Sequence, residues 1–463
     1  MPIFKVEILG YSLLEVVENS AQPLKNVLQR VFPSLFNSSK GSSFFPNSYL
    51  PDSVPMPVSV PTPTAPNPQP IDISLVPSPC FVLEERLLRR NLEILDRVQK
   101  ATGAHIICAL KGFSMFSTFP LVSQYLKGCT ASSLYEARLA YEEFAHQDAQ
   151  GNLHKGDIHA YAPAYYEDEI EEMMQYCNHL TFNSLSQWER FKPHLEKYEK
   201  KHGKHVSAGL RINPQYSEVE VDLYNPCLPG TRFGITADKL ETLPEGIEGL
   251  HFHTLCEQGS ETLARTLEEV EKKFGHLLHQ VKWLNMGGGH HITREGYDIE
   301  LLIELLNRIQ KTYKVQVILE PGEAVGWQTG YLVASVQDIL DSEGIKVAIL
   351  DISFTAHLPD CLEMPYKPKV WNASEPTPNS KYVYRFGGST CLSGDYIGMN
   401  DFAFESPLKY GDKIVFDDMI HYTMVKTTTF NGVRHPSIAL WTEENQLKLV
   451  RHIGYEMFKY KLS

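Results

Sequence analysis

From residue 105 to residue 320 the chain repeats one pattern eight times: a short apolar run, followed in most cases by a longer stretch with helical spacing. The runs lie near 105–110, 128–131, 157–161, 178–182, 205–212, 247–253, 281–286 and 315–320, with amphipathic stretches at 133–145, 184–201, 260–279 and 298–313. Runs that are apolar throughout suit parallel strands covered on both faces, and strands alternating with helices imply a parallel sheet. Eight such units suffice to close it. The expected fold is therefore α/β, a (β/α)8 TIM-type barrel over residues 76–330. Strand ends then place Lys111, Ser132, Pro163, Asn183, Asn213, His253, Gly287 and Glu320 on one rim, where barrels keep their chemistry.

The pattern changes on either side. After residue 330, short alternating segments at 331–337, 346–351, 381–386 and 412–416 are separated by Gly, Pro, Asn and Asp. They predict a C-terminal antiparallel β domain over 331–463, completed by a strand at 78–83, so that residues 76–100 partly join it. Residues 1–75 read as a low-complexity, disordered extension. Eight prolines fall between Pro51 and Pro70 with almost no charge, and a docking tail is the alternative. A basic start with an apolar core and cleavage site is missing, and Glu7, Glu15 and Glu18 sit badly with a transit peptide.

Composition narrows the function. A net charge of −13 disfavours nucleic acid and suits a cationic small molecule. No apolar stretch approaches the ~20 residues that span a bilayer, so no membrane partner is expected. Eight cysteines without any C-x-x-C pair argue against a zinc ribbon or a disulfide framework and fit a reduced, cytoplasmic setting.

Three features carry chemistry. Lys111 directly follows a buried strand, where a lysine shielded from water loses its proton easily and attacks an aldehyde. Gly287-Gly288-Gly289 follows the seventh strand and lets backbone N–H groups approach a phosphate without Cβ obstruction. Glu320 ends the eighth strand beside a second glycine turn at Gly322. A carboxylate beside a phosphate pocket must face something cationic. Pyridoxal 5′-phosphate reconciles the three, with Lys111 on the aldehyde, the glycines on the phosphate and Glu320 on the pyridine nitrogen. His253 would stack on the ring. The His251/His253 pair could instead be a metal pair or core histidines, but no third ligand stands at a telling spacing, so no metal is expected.

At these positions the chain resembles the fold-type III PLP-dependent decarboxylases, the group of ornithine, diaminopimelate and carboxynorspermidine decarboxylases. The resemblance covers about residues 76–463. It rests on Ala109-Leu110-Lys111-Gly112-Phe113, Thr130 to Glu136, His251 to Glu257, Glu320 to Ala324, His357 to Tyr366, Cys391 to Asp395 and Tyr422 to Thr427. Within the group it is most similar to the carboxynorspermidine/carboxyspermidine decarboxylases. The resemblance implies Lys111 as the cofactor lysine, His253 on the ring and Glu320 on the pyridinium, with Gly287, Gly288, Gly289 and Gly322 as the phosphate cradle. It further implies a phosphate contact from Tyr422, a proton for Cα from Cys391 and a distal substrate contact from Asp395. In the relatives Cys391 and Asp395 correspond to residues of the second subunit, so a homodimer with shared sites is implied.

Substrate choice is read from departures. Diaminopimelate decarboxylases show C-E-S-G-D and E-P-G-R, where this chain has Leu392 and Glu323. Losing an arginine and gaining a glutamate suits a tail ending in an ammonium. Asp360, Glu363 and Asp395 are the other expected cationic-tail contacts. Where the wider group has Gly-Ser-Gln after the stacking histidine, this chain has Leu255-Cys256-Glu257, so one phosphate contact is replaced. The expected function is decarboxylation of a carboxy-polyamine, carboxynorspermidine or carboxyspermidine, to norspermidine or spermidine. Diaminopimelate or ornithine decarboxylation, a racemase, and a non-catalytic PLP-binding regulator are the alternatives.

Overall fold

The computed structural model describes residues 71–364 and 366–463. The expected extension lies outside the described residues except for 71–75. Those five belong to the fold: Ile71 is buried in one hydrophobic cluster with Val76 and Cys80, and Asp72 caps a turn over Ile73–Leu75. The described fold thus includes Ile71, earlier than the residue 76 expected.

Eight strands form the barrel, at His105–Ala109, Gly128–Ala131, Asp157–Tyr161, His179–Phe182, Ser207–Arg211, Ile247–His251, Trp283–Asn285 and Gln316–Leu319. They pair in parallel in chain order, and the last closes on the first with Ile318 beside His105 and Leu319 beside Ile106. Each falls within one of the apolar runs of the sequence, shortened by no more than a few residues. Helices return the chain between most strands, and their starts follow capping chemistry. Ser133 accepts from Glu136 N, Ser184 from Gln187 N and Asp298 from Leu301 N. One return departs from this pattern. Between Ser207–Arg211 and Ile247–His251 the chain carries only the short turns Asp222–Tyr224 and Ala237–Lys239, leaving a long loop over the rim.

The barrel floor is filled by Trp283. A Cβ on Gly209 would come 2.2 Å from its ring and one on Gly249 2.0 Å, so those strands carry glycine because the indole occupies the space. Its Nε1 donates to Ser207 Oγ at 2.9 Å, and His179 meets it edge-on while stacking on His159. A packed floor leaves the opposite end of the barrel for ligands.

The second layer is a nine-stranded sheet. Gly330–Ser342 runs through its middle, flanked by Cys80–Glu84, Ile345–Leu350 and Lys413–Asp417, all antiparallel to it. The sheet is mixed rather than purely antiparallel. Cys80–Glu84 runs parallel to Ser437–Trp441, and Ile345–Leu350 parallel to Tyr382–Gly387. Both parallel pairs join segments far apart in sequence, as crossover connections require. Among the described residues no helix is long and apolar enough to cross a membrane.

Candidate active site

At the C-terminal end of the barrel strands lies a cavity of about 1300 Å³. Of the eight rim positions expected from the sequence, Lys111, Ser132, Pro163, His253 and Glu320 line it. Lys111 sits in the turn after His105–Ala109. That turn is pressed against the second glycine turn: a Cβ on Gly112 would lie 2.9 Å from Glu323 N, and one on Gly322 2.9 Å from Ala109 O. The Lys111 ammonium lies 5.8 Å from the Tyr422 ring centroid. One expectation is corrected. Lys111 is exposed, because the cavity around it is wide, so this chain by itself does not shield the amine from water.

The glycine loop is built by hydrogen bonds to its neighbours. Gly287 adopts a φ of 67° and donates to Asn285 Oδ1 at 2.8 Å. Gly288 N donates to His253 Nδ1 at 2.9 Å, which fixes that nitrogen as an acceptor and orients the ring. Gly289 has a φ of 81°, and a Cβ there would lie 1.9 Å from Leu255 O. Gly288, Gly289 and Gly322 line the cavity, and the first N–H groups of the short helix Glu323–Gly326 are unused by the helix itself.

Glu320 is buried. Its Oε1 accepts from Asn285 Nδ2 at 2.7 Å, and Oε2 stands 3.3 Å from His251 Nε2. Burial alone would raise its pKa, but His251, Asn285 and Thr130 hold it below the usual carboxylate range, so it is ionised. Burial keeps His253 neutral, with the charge of Lys111 acting in the same sense.

The remaining expected residues divide. Glu323 and Asp360 line the cavity with Tyr422. Glu363 is exposed outside it and pairs with Lys426. Cys391 is exposed and also outside it, its N–H donating to Asn431 Oδ1 at 2.8 Å. Asp395 does not match the role expected of it. It is buried, and its two oxygens accept six hydrogen bonds from Ser353, Phe354, Thr355 and Thr390, which leaves no lone pair for a substrate ammonium.

Several cavity residues escaped the sequence reading. Arg211 is buried between the rings of Tyr161 and Phe233, 4.6 and 4.4 Å from their centroids, and donates to His253 O. Its place at the end of a barrel strand was the available signal. His291 and His421 flank Glu323 at 3.7 and 4.0 Å, and no sequence spacing links the three. Burial would raise Glu323, yet these histidines hold it below the ordinary carboxylate value. Among the described residues no group of three or more His, Cys, Asp or Glu is arranged to hold a metal ion.

Comparison with known proteins decides the family. Residues 80–420 match the family described as pyridoxal-dependent decarboxylase, C-terminal sheet domain. The chain belongs to the pyridoxal-dependent decarboxylases. It is 46% identical over 392 residues to carboxyaminopropylagmatine decarboxylase of Synechocystis, covering 84% of this chain and 96% of that protein. It is 44% identical over 397 residues to carboxynorspermidine/carboxyspermidine decarboxylase of Campylobacter jejuni, covering 83% and 98%. The crystal structure of carboxynorspermidine decarboxylase complexed with norspermidine, from the same organism, superposes with a TM-score of 0.73 at 43% identity, covering 83% of this chain and all of that one. Helicobacter pylori diaminopimelate decarboxylase, at 17% identity and a TM-score of 0.68, shares the fold. The decarboxylase family thus accounts for barrel and sheet together.

Proposed function

We propose that this decarboxylase acts on carboxynorspermidine or carboxyspermidine, in the cytoplasm, with pyridoxal 5′-phosphate as cofactor. The observation that carries the reading is one cavity that gathers the Lys111 amine, a buried carboxylate, glycine turns and an acidic wall. The residues fit the cofactor. Lys111 would hold its aldehyde, Glu320 its ring nitrogen, Gly288, Gly289 and Gly322 its phosphate with Tyr422, and His253 would lie along its ring. When bound, the ring supplies an electron sink for the bond broken at Cα. Glu320 would keep the ring nitrogen protonated. His253, pinned through Nδ1, adds a neutral face that does not compete for protons.

Glu323 and Asp360 would draw the cationic tail, and binding energy from the tail orients the α-carboxylate for departure. Cys391 Sγ–H would then give its proton to Cα. In this chain Cys391 is exposed and outside the cavity, so the reading requires a homodimer in which each copy completes its partner's site. Asp395 fits as the anchor of the Cys391 segment.

The 46% identical relative named for carboxyaminopropylagmatine favours a second substrate of the same class, with a guanidinium tail. Lys111→Ala is expected to lose the cofactor's visible absorbance and carbon dioxide release together. Wild-type carbon dioxide release from carboxynorspermidine, carboxyspermidine, carboxyaminopropylagmatine, diaminopimelate and ornithine decides among substrates. Preference for either of the last two rejects the reading.

A further inference from the structure

Away from the residues assigned to the cofactor, the cavity wall holds polar atoms that make no hydrogen bond. His291 is 1% exposed, and neither ring nitrogen makes a hydrogen bond. Asp360 is buried; Oδ2 accepts from Thr423 Oγ1 at 2.7 Å and Tyr366 OH at 3.1 Å, whereas Oδ1 has no partner. Both line the cavity, as does Glu257.

Glu257 stands at the tip of the turn after the His253 strand, with a left-handed φ of 53°. Residues other than glycine and asparagine adopt that conformation uncommonly and at a cost. Here the turn is tied to the glycine loop by Gln258 N donating to Gly289 O at 3.0 Å and His291 N to Gln258 O at 3.2 Å. Arg294 Nη1 donates to Glu257 O at 3.2 Å, so the guanidinium is on the backbone. Through Gln258 the turn is bonded to His291, whose ring lies 3.7 Å from Glu323 Oε1, and both glutamates line the cavity. Burial and then Glu323 raise the pKa of Glu257, while His291, His421 and Arg294 lower it. His291 and His421 flank Glu323, while Glu257 is exposed, so a cation entering the cavity meets two carboxylates.

We propose that Glu257 is a specificity-determining residue that, together with Glu323, accepts the two N–H bonds of a secondary ammonium in the middle of the substrate chain. This rests on the carboxy-polyamine reading above. A secondary ammonium carries two N–H donors and is satisfied by two acceptors. Diaminopimelate, ornithine and lysine place methylenes there and so forgo both charged hydrogen bonds. Carboxynorspermidine, carboxyspermidine and carboxyaminopropylagmatine share this internal nitrogen and differ at their outer ends. The pair reads what they have in common, and Asp360 faces what varies.

The test uses the holoenzyme and two inhibitors, norspermidine and 1,7-diaminoheptane, its analogue with the central NH replaced by CH2. Norspermidine is expected to bind wild type about tenfold more tightly or better, as one charged hydrogen-bonded contact requires. In Glu257→Gln that gap should narrow to about threefold, with KM for the carboxy-triamine raised about tenfold and kcat little changed. No gap in wild type, or a gap intact in Glu257→Gln, overturns the proposal. Glu257→Asp retracts the carboxylate by one methylene and reads the same gap if the glutamine variant fails to hold cofactor. Inhibitor binding is followed by cofactor absorbance, so loss of the substrate reading, with no carbon dioxide from any carboxy-polyamine, is seen separately.

Discussion

Charge alone does not say what a side chain is for. Asp395 and Glu363 were expected on the substrate tail because they are acidic, yet Asp395 is consumed by six donors of its own chain and Glu363 by Lys426. His421 shows the reverse. It is buried, 3.3 Å from Asp418 Oδ1, and faces Glu323 and Asp360 as well. Burial opposes its charge, but these carboxylates push its pKa up to about 9. A folded-state value raised above the ordinary ~6.5 means stability that is complete below pH ~6.5 and lost as pH rises through about 9. His421→Gln is expected to remove ~3 kcal/mol at pH 6 and little above pH 9.5, measured by urea unfolding at both values.

At the level of elements, the glycine loop and the barrel floor make opposite demands. Gly289→Ala forces a Cβ to 1.9 Å from Leu255 O at a positive φ, whereas Gly296, also at 81°, has nothing within 4 Å. Gly289→Ala should lower the thermal midpoint markedly and abolish cofactor retention, and Gly296→Ala should cost only ~1 kcal/mol. Trp283→Ala empties the floor and is expected to cost ~3–5 kcal/mol in denaturant titrations. The eight strands were legible in the sequence because burial on both faces writes an unbroken apolar run. The partners of the sheet strands were not, since alternation marks a half-buried strand without naming its neighbour. Candidate residues near strand ends that line the cavity, Lys111, His253 and Glu320, were legible for the same reason. Glu257, His291 and His421 were not, because their meeting depends on loops that carry no periodicity.

For the whole molecule, the proposed role of Cys391 would make activity a property of pairs of chains. Lys111→Ala and Cys391→Ala, each inactive alone, should regain about a quarter of wild-type activity when refolded together, as random pairing of a two-fold dimer gives. No recovery, in a mixture shown to exchange subunits, rejects sites shared between copies. Cys80–Glu84 lies between Gly330–Ser342 and Ser437–Trp441, so the first strand of the described chain waits for one of the last. During synthesis its free edge stays open until residues 437–441 have left the ribosome, a sticky interim template for other chains. A fragment stopping at residue 330 would carry that edge permanently, and we expect it in inclusion bodies, which sedimentation after expression would reveal.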